Sequence, residues 1–599
     1  MSRGTLSRMS TLRLLGAAGA LALALASPAA AHKRHHHHHK PKDVKVQLLA
    51  INDFHGNLQT ATTGGIRPPT PAGQPAPAPI AAGGAAVLGS YLRELEAKNR
   101  NTLTVAAGDL IGGSPLLSAL YHDEPTIEAM NLLGLDLASV GNHEFDEGAA
   151  ELKRMQRGGC HPTEGCKDGD GFAGAQFRYL AANVVNKRNA KPFFKPYAIR
   201  RFQGRKIGFI GMTLEGTPSI VAPAGISNLS FLDEAATANR YARELRRRHG
   251  VKAIVVLLHE GGFPTVPFST ETLDAPEITG PIVDIVNNTT RDVDLFITGH
   301  THQAYNTIID GRPVTSASSL GRVLTDLDLT LGRSGDVKSV MADNIPIFTA
   351  GRAPVKSVES LVARYDALSA PLRRTPVGRI SADIRSSRTP GNTDDSGEFP
   401  AGNLIADAQL ADTDEADRGG AVAALMNPGG VRADFVFANS GTPGDADGLV
   451  TYEEAFTVQP FNNLVATQAF TGAQLLEVLK DQWCGTNSSA TVLLPSSTLN
   501  YTYDQSIAAS ILGKPCAGAA NPVTDVTIGG AALNPTATYR ITTNNFLADG
   551  GDDFLSLKAG TGRTTLPDFD IDSLVRYLAP TLTGAPIGPP TLDRIDVTP

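Results

Sequence analysis

Cysteine is scarce in this chain, with four residues among 599. Cys160 and Cys166 bracket a short loop, and Cys484 and Cys516 lie far downstream. Neither pair has the tight spacing of a zinc knuckle. Of the three possible pairings, proximity along the chain favours 160–166 and 484–516, with a zinc site as the alternative. A basic excess is also missing. The formal charge is −7, which argues against nucleic acid as a partner, since a phosphate backbone calls for a cationic surface. Long hydrophobic runs are missing too: Leu14 to Ala26 is too short to span a bilayer, and no other segment approaches that length. Internal repeats are absent. What remains is ordinary globular composition, 41% apolar and 19% charged, in a chain long enough for two or three domains with sizeable cores.

The N-terminus reads as a targeting segment. Arg3, Arg8 and Arg13 precede the short apolar run, and Ala29-Ala30-Ala31 offers a small-residue cleavage site. Residues 1–31 are therefore expected to direct export, with cleavage near Ala31. The polar end Leu592–Pro599 carries no anchor signal, so a secreted, soluble product is expected. His35 to His39 falls in a leader, residues 32–42, read as unstructured. A histidine run can also scavenge metal.

From Asp43 the chain alternates strand and helix patterns. Val44–Ile51 begins alternating and ends apolar, as a strand entering a core does. Further strand-like runs are Leu103–Ala107, Leu135–Val140, Lys206–Ile210, Ala253–Leu258 and Val293–Thr298, with helical patterns at Val87–Lys98 and Glu234–Arg248. Ile66–Ala82, rich in Pro, Ala and Gly, reads as an exposed loop. Val355–Leu372 reads as a connecting helix ended by Pro371 and Pro376. A second unit follows, with helices at Gly402–Ala411 and Gly472–Trp483 and strands near Ala421–Met426 and Tyr539–Thr543. The expected organisation is two α/β domains, 43–345 and 377–599, joined by a linker at 346–376.

Five polar clusters each follow an apolar strand-like run: Asp53-Phe54-His55, Gly108-Asp109, Asn142-His143, His259, and Gly299-His300-Thr301-His302. In α/β sheets ligands bind beyond the carboxyl ends of the strands, so the five point at one place. Outside the leader there are eight histidines, and five of them lie in these clusters. Surface positions account for the other three, His122, His161 and His249. Asp and His with an amide oxygen and no thiolate suit zinc, manganese, iron or cobalt. On an extended strand end, period-two alternation puts Asp53 and His55 on one side, and likewise His300 and His302. There are more ligands here than one tetrahedral ion needs, which makes two metals sharing a carboxylate the natural count. Such sites activate a water and clamp phosphoryl oxygens.

Together, Asp53-x-His55, Gly108-Asp109, Gly141-Asn142-His143-Glu144, His259 and Gly299-His300-x-His302 resemble the calcineurin-like metallophosphoesterases. In order and spacing they are similar to the secreted bacterial 5′-nucleotidase and UDP-sugar hydrolase family. The resemblance implies a four-layer αββα N-terminal sandwich, a connecting helix and a C-terminal α/β nucleotide-binding domain. It assigns one divalent metal to Asp53, His55, Asp109 and His302, and a second to Asp109, Asn142, His259 and His300. His143 is left as the catalytic histidine, oriented by Asp146. His302 stands where some nucleotidases carry Gln or Asn.

In the second unit, Asn427-Pro428-Gly429-Gly430-Val431-Arg432 resembles the family's phosphate-binding Gly-rich turn, and the planar fork of Arg432 suits phosphate. Gln459-Pro460-Phe461-Asn462-Asn463 and Asn545–Asp552 resemble its base- and ribose-binding loops. The resemblance has Phe461 and Phe546 sandwich a base at roughly 1–3 kcal/mol per stacked face. It has Asn463 face the base and Asp552 accept from ribose hydroxyls. The family's further phosphate-binding arginine has Arg388 as its nearest counterpart, before a lengthened acidic stretch. The implied activity is hydrolysis of nucleoside 5′-phosphates by a monomer or weak oligomer. The alternatives are a nucleotide sugar or 2′,3′-cyclic nucleotide on the same scaffold, or a metal- and nucleotide-binding protein without turnover.

Overall fold

Strand Val44–Ile51 shows how the first domain is layered. Val46, Leu48 and Ala50 point into one core, and Leu49 and Ile51 point into another. A strand buried on both faces needs covering layers on both sides, and both layers are present. In the computed structural model, which describes residues 43–61, 65–66, 78–265, 277–388, 391–439, 446–486 and 489–599, this strand belongs to a six-stranded sheet. The order is Val337–Pro346, Val323–Leu331, Val44–Ile51, Thr102–Ala107, Leu137–Ser139, Arg178–Leu180. The targeting segment, the His35–His39 leader and residues 67–77 of the Pro-rich stretch lie outside the described residues.

A second six-stranded sheet runs Ala304–Ile309, Arg312–Ala317, Leu295–Thr298, Ala253–His259, Arg205–Thr213, Tyr197–Phe202. The two sheets meet face to face through Val46, Leu48, Val105, Phe209, Val255 and Leu257. Helices Ala85–Glu96, Glu124–Leu133 and Gly148–Arg157 cover the outer face of the first sheet. Glu234–His249 and Pro281–Asn288 cover that of the second. The result is the expected four-layer sandwich, helix–sheet–sheet–helix. Val44–Ile51, Thr102–Ala107 and Leu137–Ser139 are parallel neighbours, as are Ala253–His259 and Leu295–Thr298. Their carboxyl ends face the same way within each sheet, which is what brings the polar clusters together.

The connecting helix runs Lys356–Arg373, with Pro371 inside its last turn rather than ending it. Proline removes one N–H and blocks one carbonyl, and the helix ends two residues later. Beyond it, a five-stranded sheet is ordered Leu494–Pro495, Ala423–Met426, Thr538–Asn544, Leu464–Thr471, Thr561–Phe569. The helix expected at Gly472–Trp483 stops at Lys480. Both disulfides pair as chain proximity favours, 160–166 and 484–516. Leu116, from the first sandwich, packs among Val377, Phe399 and Phe456 of the second unit.

Arg373 fixes the end of the connecting helix. It is 3% exposed, pairs with Asp366 on its own helix, and its Nη2 donates to Glu453 at 2.8 Å. Glu453 begins the short helix Tyr452–Val458, which leads directly into Gln459–Asn463. Both carboxylates are partly exposed, so the pair falls between the buried and surface regimes. Replacing Arg373 by Met is expected to cost about 1–3 kcal/mol, measured as a lower urea midpoint at unchanged m. An unchanged midpoint would remove Arg373 from the set of groups holding the two units together.

Candidate functional site

The polar clusters at the five strand ends meet between the two sheets. His55 Nε2 lies 3.7 Å from Asp109 Oδ2 and 3.9 Å from Asp53 Oδ1. His259 Nε2 lies 2.9 Å from Asp109 Oδ2, and His302 Nε2 lies 3.4 Å from Asp53 Oδ1. The His259 and His300 rings are edge to face at 5.3 Å. Asp53, Asp109, Asn142 and His259 are almost fully buried.

Convergence is not achieved by strand alternation, and the period-two expectation is corrected here. Asp53 and His55 have φ of 48° and 46°, Asp109 has 51°, and His300 and His302 have 71° and 56°. All five residues sit in left-handed backbone just past a strand. That conformation is uncommon for non-glycine residues and costs of order 1–3 kcal/mol each. It curls each ligand back toward the centre, which an extended chain would overshoot.

Glycines make room for this curl. A Cβ on Gly141 would lie 2.1 Å from Asp109 Oδ1 and 2.7 Å from its amide nitrogen. One on Gly108 would lie 2.6 Å from His259 Nδ1, and one on Gly299 would lie 2.9 Å from Asp53 Oδ2. Gly141 is therefore required for close approach to a carboxylate and not for a positive φ.

Two residues given no role from the sequence, Glu144 of the quoted motif and Asn52, hold the frame. Glu144, 2% exposed, accepts the N–H groups of Asp109 at 2.9 Å and Leu110 at 2.8 Å, and also that of Gly141. Asn52 donates to Asp53 Oδ2 at 2.7 Å and accepts the N–H of Ala317 at 2.7 Å. Their only sequence signal is a polar residue placed where a buried strand ends.

The donor set suits cations. His55 Nδ1 bonds the Gly112 carbonyl at 2.8 Å, and His259 Nδ1 bonds the Ala107 carbonyl at 2.7 Å. Each contact leaves Nε2 aimed inward, the usual way a ligating imidazole is oriented. His55 Nε2 then faces His302 Nε2 at 3.1 Å, and His259 Nε2 faces a carboxylate. Asn142 Oδ1 is buried without a hydrogen-bond partner. Burial pushes His55 down to about 3 and His300 down to about 4, so both are neutral. Burial would raise Asp109, but His259, His143 and His55 hold it well below the usual carboxylate range. For His259, burial is outweighed by Asp109 and Asp53, which hold it up to about 10. A proton there supplies positive charge that the two carboxylates demand.

Two matches cover most of the described chain. Residues 46–304 match the calcineurin-like phosphoesterase model, and residues 376–559 match the 5′-nucleotidase C-terminal domain model. A cell wall protein of Listeria monocytogenes, Lmo0130, is 30% identical over 89% of this chain and 67% of its own. The chain belongs to the 5′-nucleotidase family of calcineurin-like phosphoesterases. Endonuclease YhcR of Bacillus subtilis is 32% identical over 77% of this chain, but the match spans only 34% of that longer protein. The 5′-nucleotidase precursor of Thermus thermophilus has the same fold, with a TM-score of 0.70 at 25% identity over 92% of this chain and 99% of its own. Family membership carries metal-dependent phosphoester hydrolysis, and the fold implies divalent metal ions.

The C-terminal domain of this phosphoesterase closes over the cluster. A cavity of about 230 Å³ is lined by Asn142, His143, Asp146 and His300 from the first domain, and by Arg432, Asn463, Phe461, Phe546 and Asp552 from the second. Asn427 and Gly430 line it as well. His143 Nδ1 contacts Asp146 Oδ2 at 2.7 Å. Phe461 lies flat against the His143 ring, with centroids 5.7 Å apart, and Arg432 lies over Phe461 at 5.5 Å. Asn427 is engaged within its domain, donating to Asp552 at 2.8 Å and accepting from Asn544 at 3.0 Å. Arg388 is exposed and does not line this cavity. Its charge still acts on Arg432, which burial first and Arg388 second lower to about 10.

Replacing Gly141 by Ala is expected to lower divalent-metal affinity by at least about tenfold, as disturbing a ligand's supports does. Titration calorimetry on chelator-stripped protein would read the change, with far-UV circular dichroism as the folding control. Unchanged affinity would remove the steric requirement.

Proposed function

We propose that the protein is a 5′-nucleotidase, releasing phosphate from nucleoside 5′-monophosphates. The observation carrying this is the shared cavity, where a phosphoryl-handling cluster and a nucleoside-sized, aromatic-lined pocket open onto one space. Asp53, His55, Asp109 and His302 would hold one divalent ion, and Asp109, Asn142, His259 and His300 a second. When bound, such a pair activates a water and screens the phosphoryl oxygens.

The chain's own groups do the rest. Arg432 forks the phosphate and adds positive charge where it builds up in the transition state. Asp146 fixes His143 through Nδ1, leaving Nε2 to hold a proton at the departing 5′-oxygen. Asp109 Oδ1 accepts the backbone N–H of His143 at 2.9 Å, which couples the position of the histidine to that of the Asp109 carboxylate. Phe461 and Phe546 offer stacking faces to the base, Asn463 a polar contact, and Asp552 an acceptor for ribose hydroxyls. Export through the N-terminal segment and the division at 43–345, 346–376 and 377–599 are parts of this reading. Among the described residues, no helix is long and apolar enough to cross a membrane.

Phosphate release from AMP, UDP-glucose and 2′,3′-cyclic AMP, measured side by side, tests the substrate. AMP is expected to be turned over fastest, and preference for the cyclic ester would sink the assignment. Replacing His143 by Ala is expected to lower kcat/KM about 10²–10⁴-fold while metal content stays at the wild-type level. Full activity in that variant would move the proton to another group.

A further inference from the structure

His122 and His161, expected at surface positions, have more specific surroundings than that. His249 does have a simple role, with Nε2 2.9 Å from the Tyr197 hydroxyl. His122 and His161, by contrast, stack with ring centroids 4.0 Å apart and planes 11° apart. His122 is mostly buried, with 13% of its side chain exposed. Its backbone and that of Asp123 are both left-handed, at φ 51° and 61°. Two consecutive strained residues of this kind persist only where surrounding contacts impose them.

His122 Nδ1 contacts Glu147 Oε2 at 2.7 Å. A carboxylate on Nδ1 directs the Nε2 lone pair away from it, as carboxylates do behind metal-bound histidines. That Nε2 is buried without a hydrogen-bond partner and faces Glu164 Oε2 at 3.4 Å. Held this close, the two need positive charge between them, either the ring's own proton or a cation. Tetrahedral zinc with ligands at 2.0–2.2 Å sets them roughly 3.4 Å apart. His161 supplies a third donor, and one ligand atom from each of His122, His161 and Glu164 lies within 4.8 Å of the others. His161 and Glu164 sit in the loop closed by the Cys160–Cys166 disulfide. The crosslink limits the entropy that loop loses when it is ordered. Lys167 reaches the same Glu164 oxygen at 2.8 Å, but both side chains are about 40% exposed. Such a pair is weak and readily displaced.

We propose that His122, His161 and Glu164 form a separate binding site for a zinc-class divalent cation, with Glu147 orienting His122. The set of two imidazoles and one carboxylate, with an open fourth position, is one zinc accepts readily. The site lies on the rim of a cavity of about 410 Å³ that His143, Asp146 and Phe461 also line. Two covalently short links run from it to the catalytic cluster. Glu147 adjoins Asp146, and Asp123 accepts the N–H of Gly112 at 2.9 Å, whose carbonyl meets His55 Nδ1. A cation here ties the disulfide loop to the cleft wall without touching the reacting phosphate.

The test uses the full chain, stripped with chelator and dialysed against buffered zinc, with zinc per chain counted by plasma mass spectrometry. Wild type is compared with His161→Ala and, separately, with Glu164→Gln. The His35–His39 run is identical in all three proteins and cancels in the difference. Each variant is expected to hold one zinc fewer per chain, with unchanged far-UV circular dichroism and unchanged AMP turnover in manganese. If one variant misfolds, the other decides. Equal zinc counts overturn the proposal and leave His122 as an imidazolium between Glu147 and Glu164.

Discussion

The structure turns on a crowding of acceptors. Asp53, Asp109, Asn142 and four imidazoles direct oxygen atoms and nitrogen lone pairs into one buried space. Without positive charge there, each approach is repulsive, and burial strengthens the repulsion. The frame around that space shows how firmly it is imposed. Glu144 gathers the amides of Asp109, Leu110 and Gly141, so two neighbouring strand ends are clamped by one carboxylate. The link from His259 to the Ala107 carbonyl ties the second sheet to the first. Removing side chains at Gly108, Gly141 and Gly299 lets the two sheets press their strand ends together closely enough for the ligands to meet.

Much of this was legible in the sequence. Apolar runs ending in His, Asp or Asn point to strand ends, and parallel strands collect their ends on one side. Convergence of the clusters follows from that alone. The manner of convergence does not, because period-two alternation applies only while the backbone is extended. The five ligands past their strands are left-handed, and no local propensity of Asp-x-His or His-x-His announces that. Glu144 was equally hidden. A glutamate after a strand is indistinguishable in sequence from a solvated one until the amides it accepts are brought beside it. His122 and His161 are separated by a helix and a disulfide loop, so only tertiary structure could show that they stack.

The second domain supplies what the first lacks. The first domain contributes the Asp, Asn and His cluster to the shared cavity. The second domain brings Phe461, Phe546, Asn463 and Asp552 to the shared cavity. Arg432 joins the two electrically, since Asp146, Asp109 and Asp53 all act on its charge. Phe461 joins them mechanically, lying against His143 and above Gly113, where an added Cβ would stand 3.5 Å from the ring. Contacts between the two units also include the apolar packing of Leu116 among Val377, Phe399 and Phe456. A movement that opens the cleft would break the Phe461–His143 stack and uncover His143 in one step.

Strain and charge in the first domain have a common consequence. Five left-handed residues at of order 1–3 kcal/mol each are a large fraction of the net stability of a domain, about 5–15 kcal/mol. The buried carboxylates and imidazoles add to that load. Part of it is carried by the hydrogen bonds of Asn52 and Glu144 and by the inter-sheet core. The remainder is relieved by whatever positive charge enters the centre, and a cation that binds only the folded arrangement stabilises it by mass action. A proton shared by His259 and the two aspartates is the minimal form of that charge. A divalent ion would supply the same charge, could take the unpaired Asn142 oxygen as a ligand, and would suit the neutral His55 and His300. Folding and the proposed chemistry therefore draw on the same electrostatic demand, and the left-handed Asp53, His55, Asp109, His300 and His302 are where that demand is concentrated.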